Sequence, residues 1–365
     1  MGEKIPFDEK ELKVVGGEPD HFGVNVPLLD YPISRKEAIN RFYRDKDPVW
    51  MPTDHEMNLF CPSVVPDNIA RGFAFEGKSW TIDQWGGPDM FGVEWVFVPV
   101  ANGSMENPDY PHLLEDVNDW EEKIVWPDLD SWDWEGSAEM NKEYLSSGKA
   151  NYVMFLNGMG FERLISFMGF EGASLALVDE DQEDALHALL EKLTDLQIEL
   201  LDKFEEYFDI DGYCLHDDWG SQKAPFFSED VAREFLLPGL KRYNERVHEH
   251  EKYSELHSCG HIDSRIEVII DAGFDAWTPM AMNDTVSLYE NYGDKIIVPV
   301  VNDHPFDPET ATEEEQRAAA REFVERFTKP GKLGTFSAFY NKPGQLTPAF
   351  REELYKASRE AYLRW

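Results

Sequence analysis

Residues 253–261 have the sequence YSELHSCGH, the pattern of a buried strand that ends in polar side chains. In an extended strand, residues two apart point to the same face of the sheet. The imidazole of His257 and the thiol of Cys259 would therefore lie side by side, an arrangement suited to one soft metal ion. A buried thiol beside a hydrogen-bonded histidine is the alternative that an isolated pair of this kind leaves open.

Strand-like and helix-like segments alternate on both sides of this stretch. A long amphipathic segment, 183–208, has leucines at three- and four-residue spacing and is predicted to be a helix. Strands separated by helices predict a parallel sheet. The further strands that we predict after residue 150 are 151–158, 212–220, 276–280, 296–303 and 333–340, and upstream candidates are 47–53 and 95–101.

This alternation predicts an α/β fold, a single (β/α)8 barrel of the TIM type with an elaborated N-terminal region. We find no internal repeat and no Gly/Ser-rich linker, so residues 1–365 are predicted to form one domain. Residues 1–46 are an N-terminal extension, and 102–150 form an acidic, tryptophan-rich excursion. We expect its four tryptophans to hold the excursion against the barrel rather than to line a pocket; they are Trp120, Trp126, Trp132 and Trp134.

The charge of the chain limits its partners. The sequence has 72 Asp and Glu against 34 Lys and Arg, a formal net charge of -38. Such a field repels phosphate backbones and anionic membrane surfaces, which excludes nucleic acid as an expected partner. No apolar run approaches the roughly 20 residues of a membrane span. The charged start, MGEKIPFDEKELK, lacks the apolar core of a signal peptide, so we expect a cytoplasmic protein.

Polar residues cluster at the predicted strand ends. In a (β/α)8 barrel, active-site residues lie at the carboxyl ends of the strands. Asp218 shares its strand parity with His216, so we expect Asp217 to cap a helix or form a pair instead. The residues that follow the predicted strands are Glu162, His216, Asp217, Asp218, His257, Cys259, His261, Asn302, Asp303, His304, Ser337, Tyr340 and Asn341.

The motifs DDWGSQ, PFFS, LHSCGHID and IDAGFDAWTPM, in this order, resemble the uroporphyrinogen decarboxylase superfamily. The segments DPVWMP, DMFGVEW and GFERLISFMGFE extend the resemblance over nearly the whole chain. It is greatest to the branch of corrinoid-dependent methyltransferases, and it implies a (β/α)8 barrel. True uroporphyrinogen decarboxylases carry an arginine-rich segment after the first strand. The corresponding stretch here, PTDHEMNLFCP, has no arginine, which disfavours porphyrinogen decarboxylation.

The resemblance also implies a metal. The methyltransferase branch places zinc on a His-x-Cys pair, which His257 and Cys259 match. Branch members that act on thiols have another cysteine at the end of the last strand, but this chain has no cysteine after Cys259. A site with fewer thiolates is a stronger Lewis acid, better suited to polarising an ether oxygen. The remaining ligands would then be nitrogen or oxygen, from His216, Asp218, Asp303 or His304.

The resemblance and this departure predict an enzyme that moves a methyl group from a methoxylated substrate to a cobalt(I) corrinoid. An aryl methyl ether is the favoured donor, and a separate corrinoid protein carries the corrinoid. We expect catalytic roles for His216, Asp218, Asp303 and Tyr340, and substrate contacts from Glu162, Trp219, Phe339 and Tyr340. Three alternatives stay open: methyl transfer from a corrinoid to a thiol or to tetrahydrofolate, a decarboxylase, and a non-catalytic barrel that binds corrinoid proteins.

Overall fold

A computed structural model describes residues 4–19, 25–100, 103–337, 341 and 344–365. The chain forms two compact units. Unit 1 comprises Met1–Asn58, Gly148–Ala150 and Asp275–Trp365, and unit 2 comprises Leu59–Ser147 and Asn151–Phe274. The organisation of residues 1–365 as one domain stays a prediction.

The secondary structure alternates along the chain, as the sequence predicts. The strands are β1 Val14–Pro19, β2 Asn25–Leu29, β3 Met57–Phe60, β4 Gly87–Pro88, β5 Glu94–Val98, β6 Gly103–Glu106, β7 Ala150–Phe155, β8 Gly212–His216, β9 Tyr253–Ser258, β10 Ala276–Pro279, β11 Val298–Val300 and β12 Gly334–Phe336. The α-helices are α1 Arg35–Tyr43, α2 Pro66–Ala70, α3 Trp120–Lys123, α4 Trp134–Asn141, α5 Phe161–Ala176, α6 Glu183–Tyr207, α7 Glu229–Val231, α8 Leu237–Glu249, α9 Ile266–Asp271, α10 Thr285–Tyr292, α11 Glu313–Phe327 and α12 Pro348–Leu363. A π-helical turn, Ala232–Leu236, joins α7 to α8.

Unit 2 is built on parallel strands. β8 lies between β7 and β9, and both pairings are parallel. β3 runs along the other side of β7. All the residues of β8 and β9 are buried, as expected for parallel strands covered on both faces. The long helix α6 follows β7 and α5, and its leucines face inward, so that Leu189, Leu193 and Leu201 are at most 2% exposed.

Unit 1 has its own parallel strands. β11 pairs with β12, and Thr53 forms a parallel bridge with Phe336 of β12. A further parallel bridge joins Ala276 of β10 to Ile297. The antiparallel hairpin of β1 and β2 belongs to the N-terminal extension.

The predicted α/β fold class, that of the TIM barrel, is confirmed by these parallel strands with helices between them. None of the helices within the described residues is both long and apolar enough to cross a membrane.

Of the two candidate barrel strands upstream of residue 150, 47–53 is not a regular strand, whereas 95–101 contains a strand of an antiparallel sheet. Within 47–53, Thr53 alone forms a bridge, and the regular strand is β3, a few residues later. The segment predicted as a strand over 95–101 contains β5, which pairs antiparallel with both β4 and β6.

The tryptophan-rich excursion packs against α6 and neighbouring residues within unit 2. The Trp134 ring stacks on Tyr207 of α6 at a centroid distance of 5.9 Å. Trp126 contacts Phe91 edge to face, and Lys192 of α6 lies over the ring of Trp126. As predicted, these aromatic side chains hold the excursion in place.

Candidate metal centre

Two neighbouring strand ends bring four ligand-type side chains together. In the parallel register of β8 and β9, His216 is the partner of His257. The two imidazole rings lie side by side with their centroids 5.0 Å apart. Asp218 and Cys259 each follow two residues later, so all four side chains emerge at the same edge of the sheet.

The donor atoms are close enough to share one ion. One ligand atom from each of His216, Asp218, His257 and Cys259 lies within 4.8 Å of all the others. The Cys259 Sγ is 3.7 Å from the His257 Nε2, and the His216 Nε2 is 3.8 Å from an Asp218 oxygen. Zinc–nitrogen and zinc–sulfur bonds of about 2.1 and 2.3 Å place two tetrahedral ligands about 3.3 to 3.7 Å apart. The two measured separations lie at, and just beyond, the upper end of that range.

The donor set itself favours zinc among the common ions. One thiolate, two imidazoles and one carboxylate are mixed soft and borderline ligands, whereas magnesium and calcium prefer oxygen alone. Burial is the main reason why the pKa of the Cys259 thiol is raised, and the Asp218 carboxylate adds to it. A bound cation would ionise this thiol. Zinc therefore fits the residues present.

A carboxylate orients the first imidazole. The His216 Nδ1 lies 2.6 Å from the Glu162 Oε2. An ionised carboxylate only accepts hydrogen bonds, so Nδ1 carries the proton and Nε2 is turned toward Asp218 and Cys259. Histidine ligands of metals are commonly held by such a carboxylate, which fixes the tautomer and the ring orientation.

Glu162 is balanced by two positive partners. Arg71 donates to its Oε1 at 2.6 Å. Burial opposes ionisation, but Arg71 and His216 together hold the pKa of Glu162 well below its usual range. Burial likewise opposes charge on His216, yet the carboxylates of Glu162 and Asp218 raise its pKa well above its usual range. In both cases opposite charge outweighs desolvation.

Asp217 caps a helix, as its alternation with Asp218 predicts. The backbone N–H groups of Phe161 and Glu162, at the start of α5, donate to its carboxylate. Burial nevertheless raises the pKa of Asp217 to about 7. The cap fixes α5 to the end of β8, and so it sets the position of Glu162.

Trp219 is a buried neighbour of Asp217. Its side chain is fully buried, and its indole N–H donates to Asp217 at 2.6 Å. Glycine is required where the loop after β7 passes this aspartate, because a Cβ on Gly160 would lie 2.3 Å from the Asp217 Oδ2. In this structure Trp219 and Gly160 position Asp217, and Trp219 offers no exposed surface to a substrate.

The remaining predicted residues are placed elsewhere or lie outside the described residues. Asp303 forms a two-pronged ion pair with Arg326. His304 is largely exposed and pairs with Glu322. Asp303 and His304 are therefore not members of the four-residue donor group found among the described residues. Phe339 and Tyr340 fall outside the described residues.

Two residues of the site were not identified from the sequence. Arg71 ends α2, and Asn157 follows β7 in a left-handed conformation with φ of 60°. Arg71 donates to the Asn157 Oδ1 as well as to Glu162. Asn157 and Gly158 fall within the predicted strand 151–158, and nothing in the periodicity of 66–72 indicates the partners of Arg71.

The superfamily recognised from the motifs is confirmed, because residues 164–327 match the family model of uroporphyrinogen decarboxylase (URO-D). The matched segment contains both strand ends and all four donors, whereas Arg71, Asn157 and Glu162 lie before it. No curated protein matches the sequence.

Among solved structures, 32 chains match. One is a methyltransferase from Methanosarcina mazei, with a TM-score of 0.51 and 16% sequence identity over 90% of this chain and 84% of that chain. At this identity the likeness shows a shared fold.

Proposed function

We propose that the protein is a corrinoid-dependent methyltransferase that binds zinc. It would transfer a methyl group from a methoxylated substrate, with an aryl methyl ether as the favoured donor, to the cobalt(I) corrinoid of a separate protein. The observation that carries this proposal is the donor group of His216, Asp218, His257 and Cys259, whose ligand atoms lie within 4.8 Å of one another. The methyltransferase neighbour in the same fold agrees with it.

The ligand chemistry supports an oxygen donor. Cys259 is the single sulfur of the group, and the other donors are nitrogen and oxygen. Several thiolates would make a bound substrate sulfur more nucleophilic, as activation of a thiol requires. With one thiolate, zinc would instead supply Lewis acidity toward an oxygen whose bond to carbon breaks.

The chain's own residues prepare this chemistry. Glu162 holds the His216 imidazole, and Asp217 holds the start of α5 on which Glu162 sits. Because these groups are buried and paired, they need little rearrangement during the reaction. Overall, the carbon–oxygen bond breaks as the electron pair of cobalt(I) forms a new bond to the methyl carbon. The oxygen leaves with the electrons of the broken bond, as an alkoxide or phenolate, and then takes up a proton.

The test supplies cobalt(I) corrinoid with a panel of methoxylated aromatic compounds and follows the corrinoid absorbance. We expect conversion to methylated corrinoid with at least one ether, and none with the Cys259→Ser variant. A parallel assay supplies methylated corrinoid with coenzyme M, homocysteine or tetrahydrofolate. Rapid demethylation there, with every ether inert, would reverse the proposed direction of transfer.

A further inference from the structure

Arg71 lies in the layer behind the donor group. Its side chain is 16% exposed, and its guanidinium is 4.8 Å from the centre of the Trp95 ring. One terminal nitrogen of the guanidinium donates both to Glu162 and to Asn157. A planar guanidinium held on an aromatic face and by two acceptors has one orientation.

Asn157 is held at a structural cost. It is fully buried, its backbone is left-handed, and its Nδ2 has no hydrogen-bond partner among the residues that the structure describes. A buried amide nitrogen without a partner destabilises the folded chain, because the group has lost its hydrogen bonds to water. In this conformation the Asn157 Oδ1 accepts a hydrogen bond from Arg71. An aspartate could also accept this hydrogen bond, but its charge would compete with Glu162 for the guanidinium.

We propose that Arg71 is a positioning residue for the metal centre, and that Asn157 aims it at Glu162. The chain of contacts runs from Asn157 to Arg71, then to Glu162 and to the Nδ1 of His216. It therefore fixes the ring whose Nε2 belongs to the donor group. Neither Arg71 nor Asn157 touches a donor atom, so they act through Glu162. This inference rests on the proposed metal site.

The first experiment needs no metal. The proton that His216 shares with Glu162 should give a slowly exchanging, low-field proton resonance, identified by its absence in His216→Gln. We expect the resonance in the wild type and in Arg163→Met, and its loss in Arg71→Met. Arg71→Lys keeps the charge but not the planar fork, so it should retain a weakened signal. Arg163 is the matched control, because it is a buried arginine that pairs with Asp67 and Asp89 instead.

The second experiment measures zinc affinity by competition with a chelator. Loss of an outer partner of a metal ligand typically weakens binding about 10- to 100-fold. We expect this loss for Arg71→Met and for Asn157→Asp, and unchanged affinity for Arg163→Met, although that variant also loses a buried charge.

These outcomes separate the two proposals. If the wild type binds no zinc, the metal assignment fails, and the proton resonance still decides the role of Arg71. If Arg71→Met keeps both the resonance and the zinc affinity of the wild type, Arg71 is not a positioning residue. An equal loss in Arg71→Met and Arg163→Met would also overturn the proposal, because it would indicate general destabilisation.

Discussion

Glu162 and Arg163 are consecutive residues of α5, yet they enter two buried charge clusters of opposite composition. Glu162 is one acid between two cations, Arg71 and His216. Arg163 is one cation between two acids, Asp67 and Asp89. We call them the Glu162 cluster and the Arg163 cluster.

The charge count decides the direction of each pKa shift. In the Glu162 cluster, two positive neighbours overcome burial and lower the pKa of the carboxyl group. In the Arg163 cluster, burial and the neighbouring Asp67 raise the pKa of Asp89 to about 6, because the single arginine is shared between two acids. The Glu162 cluster ends on His216, a donor of the proposed metal centre, whereas the Arg163 cluster ties α2 and the loop before β5 to α5. Similar ion pairs thus serve different purposes.

The largest expected effect is the loss of zinc from the donor group at the end of the Glu162 cluster. Cys259→Ser removes the one thiolate of the donor group and should weaken zinc binding by more than about 100-fold, because outer partners alone are worth about 10- to 100-fold. Methyl transfer should be lost with it. Elemental analysis after dialysis measures the bound zinc. Cys214→Ser, at a buried thiol in the middle of β8, is the control and should retain about one zinc per chain. Equal zinc in both variants would contradict the assignment.

The Arg163 cluster should matter for stability alone. Arg163→Met leaves Asp67 and Asp89 without their arginine, and breaking a buried ion pair on one side typically costs about 3 to 5 kcal/mol. Denaturant unfolding measures the loss, and chelator competition measures zinc affinity, which we expect to be unchanged. If Arg163→Met is as stable as the wild type, or if it loses zinc without losing stability, the proposed difference between the two clusters is wrong.

The attachment of Glu162 can be tested through the glycine before α5. In Gly160→Ala the new Cβ would meet the Asp217 Oδ2, a buried atom with several donors, which cannot simply move aside. We expect a loss of about 1 to 3 kcal/mol in the free energy of unfolding, the usual cost of overpacking. Gly172→Ala, which meets only the flexible Met168 side chain, is the control and should cost less. Equal costs would show that the helix cap is not the constraint.

The Arg163 cluster should also make stability depend on pH. The pKa of Asp89 is about 6 in the folded chain, above its ordinary value of 3.8, so the folded state holds this proton more tightly. The stability that protonation of Asp89 contributes is present at low pH and is lost as the pH rises from about 4 to about 6. Unfolding free energies of the wild type should therefore fall relative to Asp89→Asn over this range. A difference that grows with pH would contradict the sign.

The sequence predicted which side chains lie together where local periodicity controls their direction. The alternation in YSELHSCGH and GYCLHDDWG placed His257 with Cys259 and His216 with Asp218, since strand parity is set by the chain itself. The long helix α6 was likewise predicted, because its leucines repeat at helical spacing.

The missed features depend on distant contacts. Arg71 and Glu162 are 91 residues apart, and no spacing rule connects them. The apolar run at β5 could belong to either a parallel or an antiparallel sheet, and its partners decided which. The sequence also predicted Trp219 as a substrate contact. In the structure its indole N–H donates to Asp217, the residue that caps α5.

The central claim, one zinc held by a single thiolate, is tested most directly by zinc K-edge X-ray absorption on the purified chain. We expect one sulfur at about 2.3 Å from the zinc, and nitrogen or oxygen ligands at about 2.0 to 2.2 Å. The sulfur contribution should disappear in Cys259→Ser. Two or more sulfur ligands, or a wild-type spectrum with no sulfur at all, would contradict it.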